Sequence, residues 1–349
     1  MKYFSLIALI MVVLVSCQKE EEGPFVPEVN QLEKGMIVLC EGLFQHNNSS
    51  INWVQLPSGA KDLSFFETKT GRSLGDTGND MIRYGGKIYV VVNVSSTIEV
   101  MSGIDFSPIQ QIEMTEGGQP KQPRFMAAGN GKVYITCYDG FVDVLDTASL
   151  IVETRIPVGE NPEGIAMSNN KLYVANSGGL NFPDVDSTVS VIDMTTHTEL
   201  QKITVGRNPG AVLVNDAGDI FVISRGDYGT VPSRLRKIDP TTDQVVNAGY
   251  TFDVSGLEAM NTTDMLVYNA SGVFQFNYQS DDIVANIPIN MATIQTLYGV
   301  QYRTSDNSLY VLDAMGYTNQ GVVRKYDLSG AYLTAYQVGL NPTKLLFFD

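Results

Sequence analysis

Few residues of this chain are equipped for chemistry. His46 and His197 are the only histidines in 349 residues, too few for a histidine-rich metal site. No Gly-x-Ser-x-Gly elbow accompanies them, so a Ser-His-Asp triad has little to build on. His197 lies in the short polar turn Thr195-Thr196-His197-Thr198 and reads as a surface residue. His46 stands in a long loop, as a solvated side chain, a pH-sensitive contact or a ligand to a cobalt ion. Asp184-Val185-Asp186 lacks the spaced oxygen ligands of an EF-type calcium loop. Asp76, Asp80, Glu163, Glu258 and Asp313 could do acid–base work only if the fold pairs two of them. The sequence is richer in amphipathic contacts. Phe44, His46, Tyr138, Phe182, Tyr228, Tyr298 and Tyr317 occur among Asn, Gly and Asp. Rings with polar tips suit a flat ligand edged with amides or hydroxyls; the alternative is that each ring only packs its own loop.

Composition narrows the class. The chain carries 23 Lys+Arg against 38 Asp+Glu, a formal charge of −15, with 44% hydrophobic residues. That apolar fraction excludes a disordered chain. The acidic balance argues against a nucleic-acid partner, which needs a basic footprint. Three cysteines exclude a disulfide-dense scaffold.

The first seventeen residues are MKYFSLIALIMVVLVSC. The apolar run from Leu6 to Val15 is half the roughly 20 residues a spanning helix needs, and with Lys2 before it reads as a signal-peptide core; the alternative is a buried N-terminal helix. Leu14-Val15-Ser16-Cys17 matches the bacterial lipobox. Residues 1–16 are therefore expected to be a lipoprotein signal, with Cys17 the acylated residue and the membrane contacted through that anchor alone. Gln18-Lys19-Glu20-Glu21-Glu22 resembles the Lys-then-acidic tag of lipoproteins sent to the outer face of the outer membrane. Residues 17–33, acidic and containing Pro24 and Pro27, read as a tether.

The elements that must position the loop residues come from an internal repeat. Short Val/Ile/Tyr-rich runs begin at Met36, Ile88, Val133, Leu172, Ile220, Met265 and Leu309, spaced by 52, 45, 39, 48, 45 and 44 residues. Such runs fit pleated, buried strands. Another short strand precedes each run from Ile88 onward, across a turn such as Asn169-Asn170 or Gly129-Asn130-Gly131, whose residues accept positive φ. Third and fourth strands follow, as in Val189–Asp193 and Leu200–Val205. Four antiparallel strands repeated seven times predict an all-β, seven-bladed β-propeller over residues 34–349; a two-sheet sandwich would not explain the constant order. The first run lacks a preceding strand, and the chain finishes Asn341-Pro342-Thr343-Lys344-Leu345-Leu346-Phe347-Phe348 like the start of a repeat. The C-terminal strand should therefore complete the first blade and remove two open sheet edges. Cys40 and Cys137 end the runs of blades one and three, which are not neighbours, so both read as small buried residues and not as a disulfide.

Lys171-Leu172-Tyr173-Val174-Ala175-Asn176 and the Val-Gly-x-Asn-Pro turns at 158–162, 205–209 and 338–342 resemble the YVTN/YncE-type propeller repeat. The long, variable segments fall on one face, including 41–50, 177–188, 225–232 and 314–321, where a scaffold presents its site. Lipobox, acidic tether and one loop-rich propeller face together, with the early Glu41-Gly42-Leu43-Phe44, resemble the BtuG family of surface lipoproteins. The resemblance implies a non-catalytic protein without a resident cofactor or metal. It would bind cobalamin or another corrinoid and pass it to a TonB-dependent outer-membrane transporter of the BtuB type. The expected contacts are Phe44, His46, Arg124, Tyr138, Asn176, Phe182, Arg225, Tyr228, Tyr298 and Tyr317, with rings stacking on the ligand and Asn or Arg bonding its amides or phosphate. The alternatives are a surface module binding glycan or protein through the same face, and a lactonase- or lyase-type propeller enzyme with carboxylates or a metal at the central opening.

Overall fold

The structure, a computed structural model, describes residues 29–246, 249–250 and 252–349. The signal segment, Cys17 and most of the tether lie outside the described residues. Seven four-stranded antiparallel sheets follow one another around a ring. The second strands of blades 1 to 7 are Gly35–Cys40, Lys87–Val92, Lys132–Cys137, Lys171–Asn176, Ile220–Ser224, Asp264–Asn269 and Ser308–Asp313, the seven runs read from the sequence. They are almost wholly buried because neighbouring blades cover both their faces, which is why they carry near-continuous Val, Ile and Tyr and no polar alternation. Among the described residues the core divides into seven apolar clusters, one between each pair of adjacent blades. Tyr89, Tyr134, Tyr173 and Tyr310 occupy equivalent buried positions. Burial is paired with a polar anchor where the phenol reaches one: Tyr173 donates to Asp243 Oδ1 at 2.6 Å and Tyr310 to Asp306 Oδ2 at 2.9 Å.

Short turns make the loop-poor face. Asn169 and Asn170 have φ of 48° and 59°, and Asn130 and Gly131 have 54° and 75°, the consecutive left-handed pair of a type I′ hairpin. His197, a single left-handed residue at φ 53°, closes a longer turn on this face, its ring edge-on to Tyr134 at 6.3 Å. Closure follows the expected route. Pro342–Phe348 is the innermost strand of blade 1 and pairs antiparallel with Gly35–Cys40, Met36 opposite Phe347 and Val38 opposite Leu345. Cys40 and Cys137 are both buried free thiols, pushed up in pKa chiefly by burial.

The outer edge of blade 1 departs from the four-strand expectation. Its fourth strand is only Lys61–Asp62, and a six-residue helix, Phe65–Thr70, fills the space beyond. Phe65 and Phe66 anchor that helix in the core, Phe65 stacking on Phe106 at 5.0 Å, and Gly71 ends it at φ 73°. Trp53, the single tryptophan, is 3% exposed and lies between Phe65 at 5.8 Å and Phe348 of the closing strand at 6.0 Å. Its emission therefore reports closure. Phe348→Ala is expected to cost about 3 kcal/mol in urea unfolding and to red-shift native Trp53 emission; an unshifted spectrum would show that the closing strand does not shield this ring.

Candidate functional site

The loop-rich face is organised by one repeated backbone device. The residue before the innermost strand is left-handed in five blades: Thr77 at φ 63°, Gln122 at 53°, Asn161 at 45°, Asn208 at 54° and Asn341 at 56°. Asparagine tolerates this conformation better than most side chains. The carbonyl of that residue accepts the backbone N–H of the residue just past the second strand: Thr77 from Asn93 (2.8 Å), Gln122 from Tyr138 (3.1 Å), Asn161 from Ser177 (3.3 Å), Asn208 from Arg225 (2.9 Å) and Asn341 from Glu41 (2.9 Å). Glu41, Tyr138 and Arg225 are thereby pinned at the inner rim by main-chain geometry.

Inside the rim runs a central channel with a cavity of about 390 Å³. All seven innermost strands line it, among them Asp80, Phe125, Ile165, Val212, Glu258, Gln301 and Lys344. At its mouth the Arg124 guanidinium forks onto the Glu163 carboxylate at 3.0–3.3 Å, donates to Asn79 Oδ1, and stacks over the Tyr138 ring at 4.7 Å. The Tyr138 hydroxyl donates to the same carboxylate. Burial pushes Glu163 up, but Arg124, Arg225 and the Tyr138 hydroxyl outweigh it and hold this carboxyl below its ordinary range. Across the mouth the Tyr298 hydroxyl donates to Glu41, whose pKa burial raises despite that bond and the Arg124 charge. Deeper in the channel, burial raises Asp80 against Lys344, 4.0 Å away, and the Met126 N–H at 2.9 Å. Burial pushes Glu258 up to about 7, with Lys344 and the Tyr302 N–H opposing.

Beside the mouth, over blades 5 to 7, an open cleft of about 780 Å³ is lined by Arg225, Tyr228, Val231, Asp253, Tyr298 and Tyr317 with their neighbours. It shares Arg225, Ser255 and Tyr298 with the channel, so the two cavities adjoin. Tyr298 and Tyr317 meet edge to face at 5.9 Å. The cleft wall at 225–232 has a fixed shape. The Asp227 carboxylate accepts the N–H groups of Gly229 (2.9 Å) and Val231 (2.7 Å), bonds that hold its pKa below the usual value. Gly226, at φ 75°, leaves no room for a Cβ beside the Val231 carbonyl.

Four of the residues expected from the sequence thus line one cleft: Arg225, Tyr228, Tyr298 and Tyr317. Arg124 and Tyr138 belong to the channel mouth, and Arg124 is engaged by Glu163 and Asn79 and not free for a ligand. Phe44 and Phe182 stand on other loops, 66% and 55% exposed. His46 stays beside Phe44, its Nδ1 2.8 Å from the Phe44 carbonyl. Asn176 departs from the expectation of a ligand contact. It is fully buried, accepts from Gly159 N at 3.0 Å and donates to Thr188 Oγ1 and Ser190 Oγ at 3.0 and 2.9 Å, so it ties strands together beneath the face. The strand-end ring holding it lies one residue too deep; the next position is the displayed one, and a shift of the repeat alignment by one residue would have selected Glu41. The pairing of Glu163 with Arg124 joins different blades and has no local sequence signal.

Three further carboxylates noted in the sequence are engaged separately. Asp76 accepts the Gln45 and Asn47 N–H groups at 3.1 and 3.0 Å. Asp313 pairs with Arg324 at 3.0 Å, and Asp186 caps the Thr188 N–H at 2.9 Å.

The family model of a domain of unknown function, DUF5074, matches residues 34–337. The chain belongs to the DUF5074 family. This DUF5074 propeller is similar to the crystal structure of a quinoprotein alcohol dehydrogenase-like protein from Bacteroides thetaiotaomicron. That match has a TM-score of 0.71 and 13% identity over 91% of this chain and 79% of the other. Hydrazine synthase from Kuenenia stuttgartiensis aligns with a TM-score of 0.55 and 15% identity, over 74% of this chain and 85% of that one. At these identities the likeness is one of fold. No curated protein matches the sequence.

Two outcomes follow for the buried carboxyls. Between pH 4.5 and about 7 the folded chain holds a proton on Glu258 that the unfolded chain releases, so this group's contribution to stability falls as pH rises through that window. Glu258→Gln should therefore raise the melting temperature more at pH 8 than at pH 4; equal effects would contradict a buried, raised carboxyl. Glu163→Gln leaves Arg124 without its counter-charge and should cost about 3 kcal/mol at pH 7, an effect that shrinks as the wild-type carboxylate is itself protonated in acid.

Proposed function

We propose that this DUF5074 propeller is a non-catalytic surface receptor that holds a corrinoid on its loop-rich face and passes it to a TonB-dependent outer-membrane transporter. The observation carrying the reading is the cleft of about 780 Å³ in which Tyr228, Tyr298, Tyr317 and Arg225 converge beside the channel mouth. A corrinoid is broad and flat with amides around its edge, and phenol rings offer it apolar faces with hydrogen-bonding tips. Tyr228 and Tyr317 are 74% and 50% exposed, so a ligand can cover them without unfolding the rim. Surface anchoring through Cys17, outer-membrane location and the transporter partner belong to the same proposal, supported by the lipobox and the resemblance to the BtuG family. A second reading, a surface module for glycan or protein, is favoured by Phe44, Leu180 and Phe182, which stand more than half exposed on the same face.

Gel filtration of the mature protein with cyanocobalamin separates the readings. Co-eluting red colour is expected, with a calorimetric signal at micromolar protein. Colourless protein with no heat, together with retention on a glycan array, would replace the corrinoid reading with the second one. Tyr317→Ala should weaken cyanocobalamin binding by about tenfold with unchanged melting temperature, since its ring lies outside the core; Tyr228→Ala should weaken binding as much and also lower the melting temperature, because the Tyr228 hydroxyl accepts from Nδ2 of the buried Asn208 at 3.1 Å.

A further inference from the structure

The two arginines at the channel mouth have different surroundings. Arg124 is engaged through all three of its guanidinium nitrogens by Glu163 and Asn79. Arg225 has its backbone fixed by the Asn208 carbonyl at 2.9 Å, yet its guanidinium makes no hydrogen bond among the described residues. Its nearest charge is Glu163 Oε1 at 3.7 Å, on a carboxylate that Arg124 and Tyr138 already hold. The Arg225 side chain is 34% exposed. It lies flat across Gly210, where a Cβ would overlap its Cζ, so bare backbone at 210 admits it to the boundary between cleft and channel. The other charges of the cleft are placed differently. Asp227 is folded into its own turn and Asp253 accepts the Ser233 hydroxyl. Asp80 and Glu258 face the channel beyond, together with Lys344. A planar fork whose N–H donors make no hydrogen bond among the described residues matches two anionic oxygens, and such charge-assisted pairs are the strong ones.

We infer that Arg225 is the anion seat of the loop-face site: the ligand carries a phosphodiester or carboxylate group that sets two oxygens on this guanidinium while its flat part lies against Tyr228, Tyr298 and Tyr317. The inference rests on the reading of the cleft as a ligand site and narrows the ligand to an anionic one.

Calorimetry tests it with two pairs of probes. Cyanocobalamin carries a phosphodiester, and dicyanocobinamide keeps the corrin ring without it; trigalacturonic acid carries carboxylates, and maltotriose is neutral. In the wild-type protein the anionic member of the pair that binds should bind about 10- to 100-fold more tightly. Arg225→Gln should abolish that preference, and so should Gly210→Ala, which displaces the guanidinium without deleting it; melting curves of both variants check that the blades remain folded. Cyanocobalamin and dicyanocobinamide binding alike would overturn the anion seat and leave the corrinoid reading standing. Trigalacturonic acid binding through Arg225, with neither corrinoid bound, would keep the anion seat and remove the corrinoid. Absence of binding by either anionic probe, or an anion preference that survives Arg225→Gln in a folded protein, would overturn the inference.

Discussion

The antiparallel pairing of Pro342–Phe348 with Gly35–Cys40 is the contact on which the rest of the molecule depends. It supplies blade 1 with its innermost strand and removes the two open edges that an unclosed ring would present to other chains. It also completes the apolar cluster in which Met36, Val38 and Leu345 meet Tyr310 and Leu312 of blade 7. The same strand reaches the functional face: Asn341 just before it holds Glu41 at the rim, and Lys344 within it reaches Asp80 on the neighbouring blade. Closure and site geometry are therefore one event.

The propeller divides its work between faces. Type I′ hairpins and Asp-capped turns keep one side short. On the other, in five of the seven blades, a left-handed residue before the innermost strand releases the chain into longer loops while fixing one residue at the rim. The channel mouth is rigid, because Arg124, Glu163, Tyr138 and Asn79 satisfy one another. The cleft beside it is different in kind. Its tyrosines and Arg225 are held by backbone and loop geometry, and their surfaces remain exposed, as suits recognition of an external molecule.

Much of this was legible in the chain because the physics is local or repeated. A second strand covered on both faces must be a continuous apolar run, which is why Ile88–Val92 and Leu172–Ala175 mark their blades. Asn and Gly at forced positive φ mark the turns, and an orphan first strand beside a surplus last one indicates closure. The six-residue helix at Phe65–Thr70 was not legible; it is too short to impose a helical period and forms because Phe65 and Phe66 have a core to enter. Asn176 and Arg225 differ by one step along equivalent strand ends, and only the backbone shows which is buried beneath the face and which lines the cleft. The pairing of Arg124 with Glu163 joins residues 39 positions apart on adjacent blades, so charge pattern alone could not reveal it. The propeller that the repeat predicts is also the fold that the chain shares with the Bacteroides thetaiotaomicron protein.

Hydrogen exchange with and without cyanocobalamin tests the loop-face site most directly, because it reads every segment of the ring at once. Protection is expected in 225–233, 253–256, 296–299 and 314–318, with the hairpin turns of the opposite face unchanged. Protection confined to those turns, or no change anywhere at saturating cyanocobalamin, would contradict a corrinoid site in the cleft over blades 5 to 7.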